Sequence, residues 1–145
     1  MSPAETQASS PVKKHSILLV VAMSATFIVF RLVLHTWPNT DLNVGGYNLH
    51  HLFTGLLLIV VGGIPLAIVR LASRWLDVAL VIFGIGLGMA LDEWVFLIAT
   101  DGSNTSYLLP VSLWGGALVV GLASLYALIL MTVEHKRAGK SPRDR

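Results

Sequence analysis

Four apolar blocks, each about 20 residues long, dominate the chain and leave it few ways to fold. They run from Ser16 to Thr36, Leu49 to Val69, Leu76 to Thr100 and Leu109 to Val133. At about 1.5 Å per residue each is long enough to cross a hydrocarbon core of about 30 Å. In lipid every backbone N–H and C=O needs a partner within the protein. None of the blocks alternates in polarity as a barrel strand does, so the spans are predicted to be helices. Only 12% of residues are charged and 54% are hydrophobic, whereas soluble domains carry about 25% charged residues. The expected architecture is an all-α membrane protein, a four-transmembrane-helix bundle whose short connections make neighbouring helices antiparallel.

Charge orients the bundle. Lys13, Lys14, Arg70, Arg74, Lys136, Arg137, Lys140, Arg143 and Arg145 all flank the spans on one side, and the loops after the first and third spans carry no Lys or Arg. The positive-inside rule puts both termini and the middle loop in the cytoplasm, in the cell membrane of a multi-pass protein. Residues 1–15 are expected to form a disordered tail, 16–133 the transmembrane domain and 134–145 a basic cytoplasmic tail that reaches anionic lipid heads or water. Lys13 and Lys14 ahead of an apolar run resemble a secretion signal. The run continues through Arg31 without a small-x-small exit, which marks a retained signal-anchor. The basic tail is short and lacks interleaved aromatics, so nucleic acid is not an expected partner. The absence of cysteine excludes disulfides, thiolate metal sites and thiol nucleophiles.

Trp37, Pro38, Asn39, Asp41, Gly45 and Gly46 end the first span and form an outer loop; the polar stretch from Asp101 to Tyr107 forms the second. Trp37, Tyr47, Tyr107 and Trp114 are expected at the outer interface and Trp75 and Tyr126 at the inner one, as anchors, with Trp94 and Trp114 the aromatics nearest the polar layer. Gly62, Gly63 and Pro65 predict a kink in span two, and a hinge is the sharper form of that expectation. Asp77 reads as a first-turn acid beside Arg70 and Arg74.

Six ionisable residues sit inside or at the lip of the spans toward the outer side: Arg31, His35, His50, His51, Asp92 and Glu93. An acid at the bilayer centre costs roughly 2.5 to 3.5 kcal/mol, and each Leu, Ile, Phe or Val returns only about 0.3 to 0.6. Asp92 and Glu93 should therefore face the bundle interior, paired, protonated or metal-bound. In span three, Gly84, Gly88 and Asp92 line one stripe, and Gly86, Ala90 and Glu93 line the next, about 100° away. Small residues admit close helix approach, and they also offer faces for a homo-oligomer or a membrane partner subunit. In span one, Ser24, Ile28, Arg31 and His35 fall on a common face.

Three functions fit this layer. Arg31 neutralising an acid, with the histidines hydrogen-bonded, makes a structural subunit whose polar layer fixes helix register. His50, His51, Asp92 and Glu93 as nitrogen and oxygen ligands make a site for Zn, Fe or Mn, with Arg31, His35 and Asn48 around it as ion-pair or supporting groups. The same residues as a relay make a small proton- or ion-coupled carrier. No Gly-x-Ser-x-Gly, His-Glu-x-x-His or Walker loop is present, and the paired Glu-x-x-His of di-iron bundles is missing. Ser112, beside Trp114, is the serine that a Ser-His assembly with His50 would use.

The stretches His50-His51-Leu52-Phe53-Thr54-Gly55 and Gly86-Leu87-Gly88-Met89-Ala90-Leu91-Asp92-Glu93 together resemble a group of small, uncharacterised bacterial four-span membrane proteins that pair His-His-x-x-x-Gly with a later Leu-Asp-Glu. The likeness covers spans two and three. Members often carry a further histidine two positions before the pair, where this chain has Asn48, so a third imidazole is missing from the ligand set. The resemblance implies the place of the site and no activity.

Overall fold

A computed structural model describes residues 11–37, 43–44, 47–48, 50–70 and 72–138. Residues 1–10 of the expected N-terminal tail, the loop residues Pro38, Asn39, Asp41, Gly45 and Gly46, and the basic residues Lys140, Arg143 and Arg145 lie outside that set. The fold is helical. Its elements are α1 (Pro11–Thr36), β1 (Asn43–Val44), β2 (Tyr47–Asn48), α2 (His51–Ile68), α3 (Ser73–Ala99), α4 (Asn104–Tyr107) and α5 (Pro110–Ala138). Four of these, α1, α2, α3 and α5, are long and apolar enough to cross a membrane.

Helix ends depart from the hydropathy blocks because caps, not apolar content, set them. The first helix starts at Pro11, inside the stretch expected to be a tail, and the last begins at Pro110. Proline suits a first helical position, where its missing N–H would have had no partner. The last helix also runs past Val133 to Ala138. The connection between α1 and α2 contains a short ladder, with β1 antiparallel to β2 and Asn43 opposite Asn48, and that between α3 and α5 contains α4; neither was expected.

The third helix is the hub. It packs against α1, α2 and α5, and α1 also packs against α5. Its small residues do this work on the two stripes read from the sequence. Gly84 and Gly88 face α1, where an added Cβ on Gly84 would meet the Ala22 side chain at 2.8 Å and one on Gly88 the Met23 carbonyl at 2.5 Å. Gly86 faces α2, where its Cβ would lie 2.7 Å from the Gly55 carbonyl. Gly55 and Gly62 reciprocate from α2. The glycine faces on which a partner was expected are thus largely used within the chain, and Gly121 on α5, with open space around its Cβ position, is an exception.

Span two continues as one helix through Pro65, and Gly62 serves as a contact point against Ala79 and Phe83 of α3. On α1 the inward residues are Met23, Thr26, Phe27 and Arg31, whereas Ile28 is exposed, which rotates the face expected from Ser24 and Ile28. Trp37, Trp75, Trp94, Trp114 and Tyr126 all point outward. At the end of the bundle away from His50 and His51, Lys14 Nζ lies 2.5 Å from Asp77 Oδ2 and His15 Nε2 lies 3.5 Å from Asp77 Oδ1. Asp77 thus ties α3 to α1, in place of the first-turn role among Arg70 and Arg74.

Candidate functional site

Asp92 and Glu93 are adjacent on α3, so their side chains diverge by about 100° and serve two different neighbours. They are among the most buried side chains in the protein, at 0% and 1% exposure. Asp92 points toward α1 and α5, Glu93 toward the start of α2. Carboxylates buried this fully need a hydrogen bond for each oxygen and compensation for their charge.

Arg31 meets Asp92. Its Nε donates to Asp92 Oδ1 at 2.6 Å, Nη1 donates to the Tyr107 carbonyl at 3.0 Å and to Ser112 Oγ at 3.1 Å, and Nη2 donates to the Ser112 carbonyl at 2.9 Å and the Asp92 carbonyl at 3.4 Å. All five N–H donors of the guanidinium are engaged. Its carbon also stands 4.1 Å from the Tyr107 ring centroid, a cation–π contact. Gly116 makes room for the pair: a Cβ there would lie 3.1 Å from Asp92 Oδ1 and 3.2 Å from Arg31 Nη2.

The second oxygen of Asp92 accepts from the Tyr107 hydroxyl and faces His51 Nε2 at 3.2 Å. The other ring nitrogen of His51, Nδ1, stands 3.3 Å from Glu93 Oε2. His51 therefore bridges the two acids, with its ring stacked at a tilt on Phe30 and edge-on to Tyr107. Glu93 is completed by His50 Nδ1 at 2.6 Å from Oε1 and by the Leu52 backbone N–H, which donates to Oε2 at 2.5 Å. The residue at the start of α2, His50, makes no side-chain cap of its own, and Glu93 takes that role from the neighbouring helix.

The sequence placed Arg31, His50, His51, Asp92 and Glu93 together, and the structure brings all five into one cluster, Arg31–Asp92–His51 and His50–Glu93 by hydrogen bonds and the two sets joined by the His51–Glu93 ion-pair contact. His35 does not join them. It is exposed one turn beyond Arg31, and among the described residues the cluster's hydrogen bonds come from other side chains. Asn48 is placed by its backbone, paired with Asn43. Trp94 and Trp114, at 53% and 71% exposure, face away. Ser112 belongs to the cluster, but through Arg31 and not through His50. Tyr107, expected as an interface anchor, is the main addition. Burial, and then the charge of Asp92 beside it, push its hydroxyl well above the ordinary phenol range, so it acts as a donor.

The four expected metal ligands are thus neighbours, yet they face one another as donors and acceptors. Among the described residues no group of three or more His, Asp or Glu side chains is disposed to hold a metal ion. A divalent ion at Asp92 would also sit beside the Arg31 guanidinium, where like charges repel. What the arrangement does chemically is bury two carboxylates and a guanidinium among mutual partners. In comparisons with known proteins, no family, no curated protein and no solved structure matches this chain. The fold and cluster define a class, a helical chain with four helices long and apolar enough to cross a membrane and a buried Arg/His/carboxylate network at one end.

Proposed function

We propose that the protein is an integral protein of the cytoplasmic membrane, an antiparallel four-helix bundle with both termini inside, whose His/carboxylate cluster near the outer face binds a proton. Contact order along the helices supports the topology. Gly55 and then Gly62 of α2 meet Gly86 and then Ala79 of α3, in descending order, whereas Lys14 and Arg31 of α1 meet Asp77 and Asp92 in ascending order. Nine flanking Lys and Arg residues on one side support the orientation. The short His-His-x-x-x-Gly and Leu-Asp-Glu motifs support kinship with small bacterial four-span proteins.

One observation carries the proton: His51 stands between the two acids, Nε2 in a hydrogen bond with Asp92 Oδ2 and Nδ1 at ion-pair distance, 3.3 Å, from Glu93 Oε2. A neutral imidazole donates from one nitrogen only and so leaves one of these contacts acceptor to acceptor. Charge arithmetic points the same way. Arg31 contributes +1 and Asp92 and Glu93 contribute −1 each, leaving −1 with neutral rings; one proton shared among His50, His51 and Glu93 brings the buried cluster to zero.

Proton uptake by the purified protein, compared between parent and His51→Ala across the acid-to-neutral range, tests this. The parent should retain one proton that the variant has lost. Equal uptake overturns the reading. A divalent metal (Zn, Fe or Mn) is the second reading, favoured by the convergence of His50, His51, Asp92 and Glu93. Stoichiometric metal in the parent, lost in Glu93→Gln, would select it.

A further inference from the structure

The connection between α3 and α5 is bonded chiefly to itself. Asp101 Oδ1 accepts from the Ser103 N–H at 3.0 Å and the Ser103 hydroxyl at 2.8 Å, and Ser103 Oγ accepts from the Ser106 N–H as the cap of α4. The Ser106 hydroxyl reaches the Ser103 carbonyl at 2.8 Å and Thr100 Oγ1 at 3.2 Å, close to where the turn leaves α3. These bonds brace the segment internally.

Its hold on the cluster is concentrated in Tyr107. The hydroxyl donates to Asp92, the carbonyl accepts from Arg31, and the ring lies between the guanidinium and the edges of His51 and Phe96. Upstream stands Gly102, at φ +74° in the left-handed region that side chains avoid, and a Cβ there would meet only Leu97 Cδ2 at 3.8 Å. Glycine with free space beside it is the place where backbone torsion changes at least steric expense.

We propose that residues 101–109 form a lid over the Arg31–Asp92 pair, hinged at Gly102 and latched by Tyr107, and that water is what enters when it lifts. Lifting Tyr107 leaves Asp92 Oδ2 with His51 Nε2 alone and Arg31 Nη1 with one of its two acceptors, Ser112 Oγ. Water supplies both the lost donor and the lost acceptor, and it is the carrier through which protons reach a buried carboxylate. The inference rests on the cluster being the functional site and deepens that reading into a gated one. His50, with its side chain 29% exposed against 13% for His51, remains the open edge while the lid is shut.

The chain contains no cysteine, so a single introduced thiol is a clean reporter. Ser112 is fully buried and accepts from the same guanidinium as the Tyr107 carbonyl, and Thr105 is exposed on the lid. In membranes treated with a hydrophilic maleimide, Ser112→Cys should react more slowly than Thr105→Cys. It should react about ten-fold faster once Tyr107→Phe removes a hydrogen bond to a charged group. A rate unchanged by Tyr107→Phe, or a parent rate equal to that of Thr105→Cys, overturns the lid. Because Ser112→Cys alters an acceptor of Arg31, amide exchange in the chain with native Ser112 gives a second measure. Tyr107→Phe should accelerate exchange across 103–109 and leave 12–36 unchanged; no acceleration, or acceleration throughout, overturns the proposal. Failure here leaves the proton count of the parent intact, and failure of the proton count leaves the labelling pattern intact.

Discussion

The Leu52 backbone N–H donates to Glu93 Oε2 at 2.5 Å, so α3 caps α2 from across the helix interface. A helix N-terminus presents unsatisfied N–H groups and a partial positive charge, and Glu93 answers both. Removing a cap costs about 0.5 to 2 kcal/mol. Glu93→Gln is expected to lower the unfolding free energy by about 1 kcal/mol and to loosen the first turn of α2 selectively. Thermal unfolding in detergent, read beside amide exchange at 51–55, checks both parts.

Arg31→Leu leaves Asp92 buried with its main counter-charge gone. Breaking one side of a buried pair costs about 3 to 5 kcal/mol, whereas replacing both partners with apolar groups is often close to neutral. The double variant Arg31→Leu/Asp92→Leu should therefore recover most of the loss. Unfolding energies of the two single variants and the double variant, combined as a cycle, measure the coupling. Additive effects would mean that the pair contributes nothing.

Two glycines of α5 should behave oppositely. Gly116→Val drives a side chain against Asp92, Arg31 and Phe27, and overpacking of this kind costs about 1 to 3 kcal/mol. Gly121→Ala meets open space and should stay within about 0.5 kcal/mol of the parent. Expression level and melting temperature in detergent separate the two.

Hydrogen bonds from Ser106 and Ser103 hold the Asp101 carboxyl down at about 2, below its ordinary 3.8. A depressed acid stabilises the fold above its unfolded value and loses that contribution as pH falls through its folded one. The 101–106 turn should accordingly loosen as pH drops from about 4 to about 2, and Asp101→Asn should abolish that dependence. The group is fully exposed, so salt should weaken the effect. Amide exchange at 103–106 across this range reports it.

Depth was legible in the sequence, and rotation only partly. A charged residue in an apolar run announces its level along the helix at about 1.5 Å per residue, which brought Arg31, His35, His50, His51, Asp92 and Glu93 to one layer, of which all but His35 meet. On α3 the glycines mark their own stripes, so the directions of Asp92 and Glu93 were readable as well. On α1 no small residue gives the face away, and the inward side runs through Met23 and Phe27 rather than Ile28. Tyr107 was hidden for a different reason. A tyrosine at the end of a span has the same sequence signature whether it anchors at the interface or turns inward to a carboxylate. Leu52 was invisible because it contributes a main-chain N–H, which every residue but proline carries. Ser112 lay at the right level, and nothing in the sequence pointed to Arg31 as its partner.

Lys14 on Asp77 and Arg31 on Asp92 fasten α1 to α3 at opposite ends of the bundle. Two ties that far apart oppose sliding and swivelling of one helix on the other, the buried Arg31 pair more strongly than the exposed Lys14 pair.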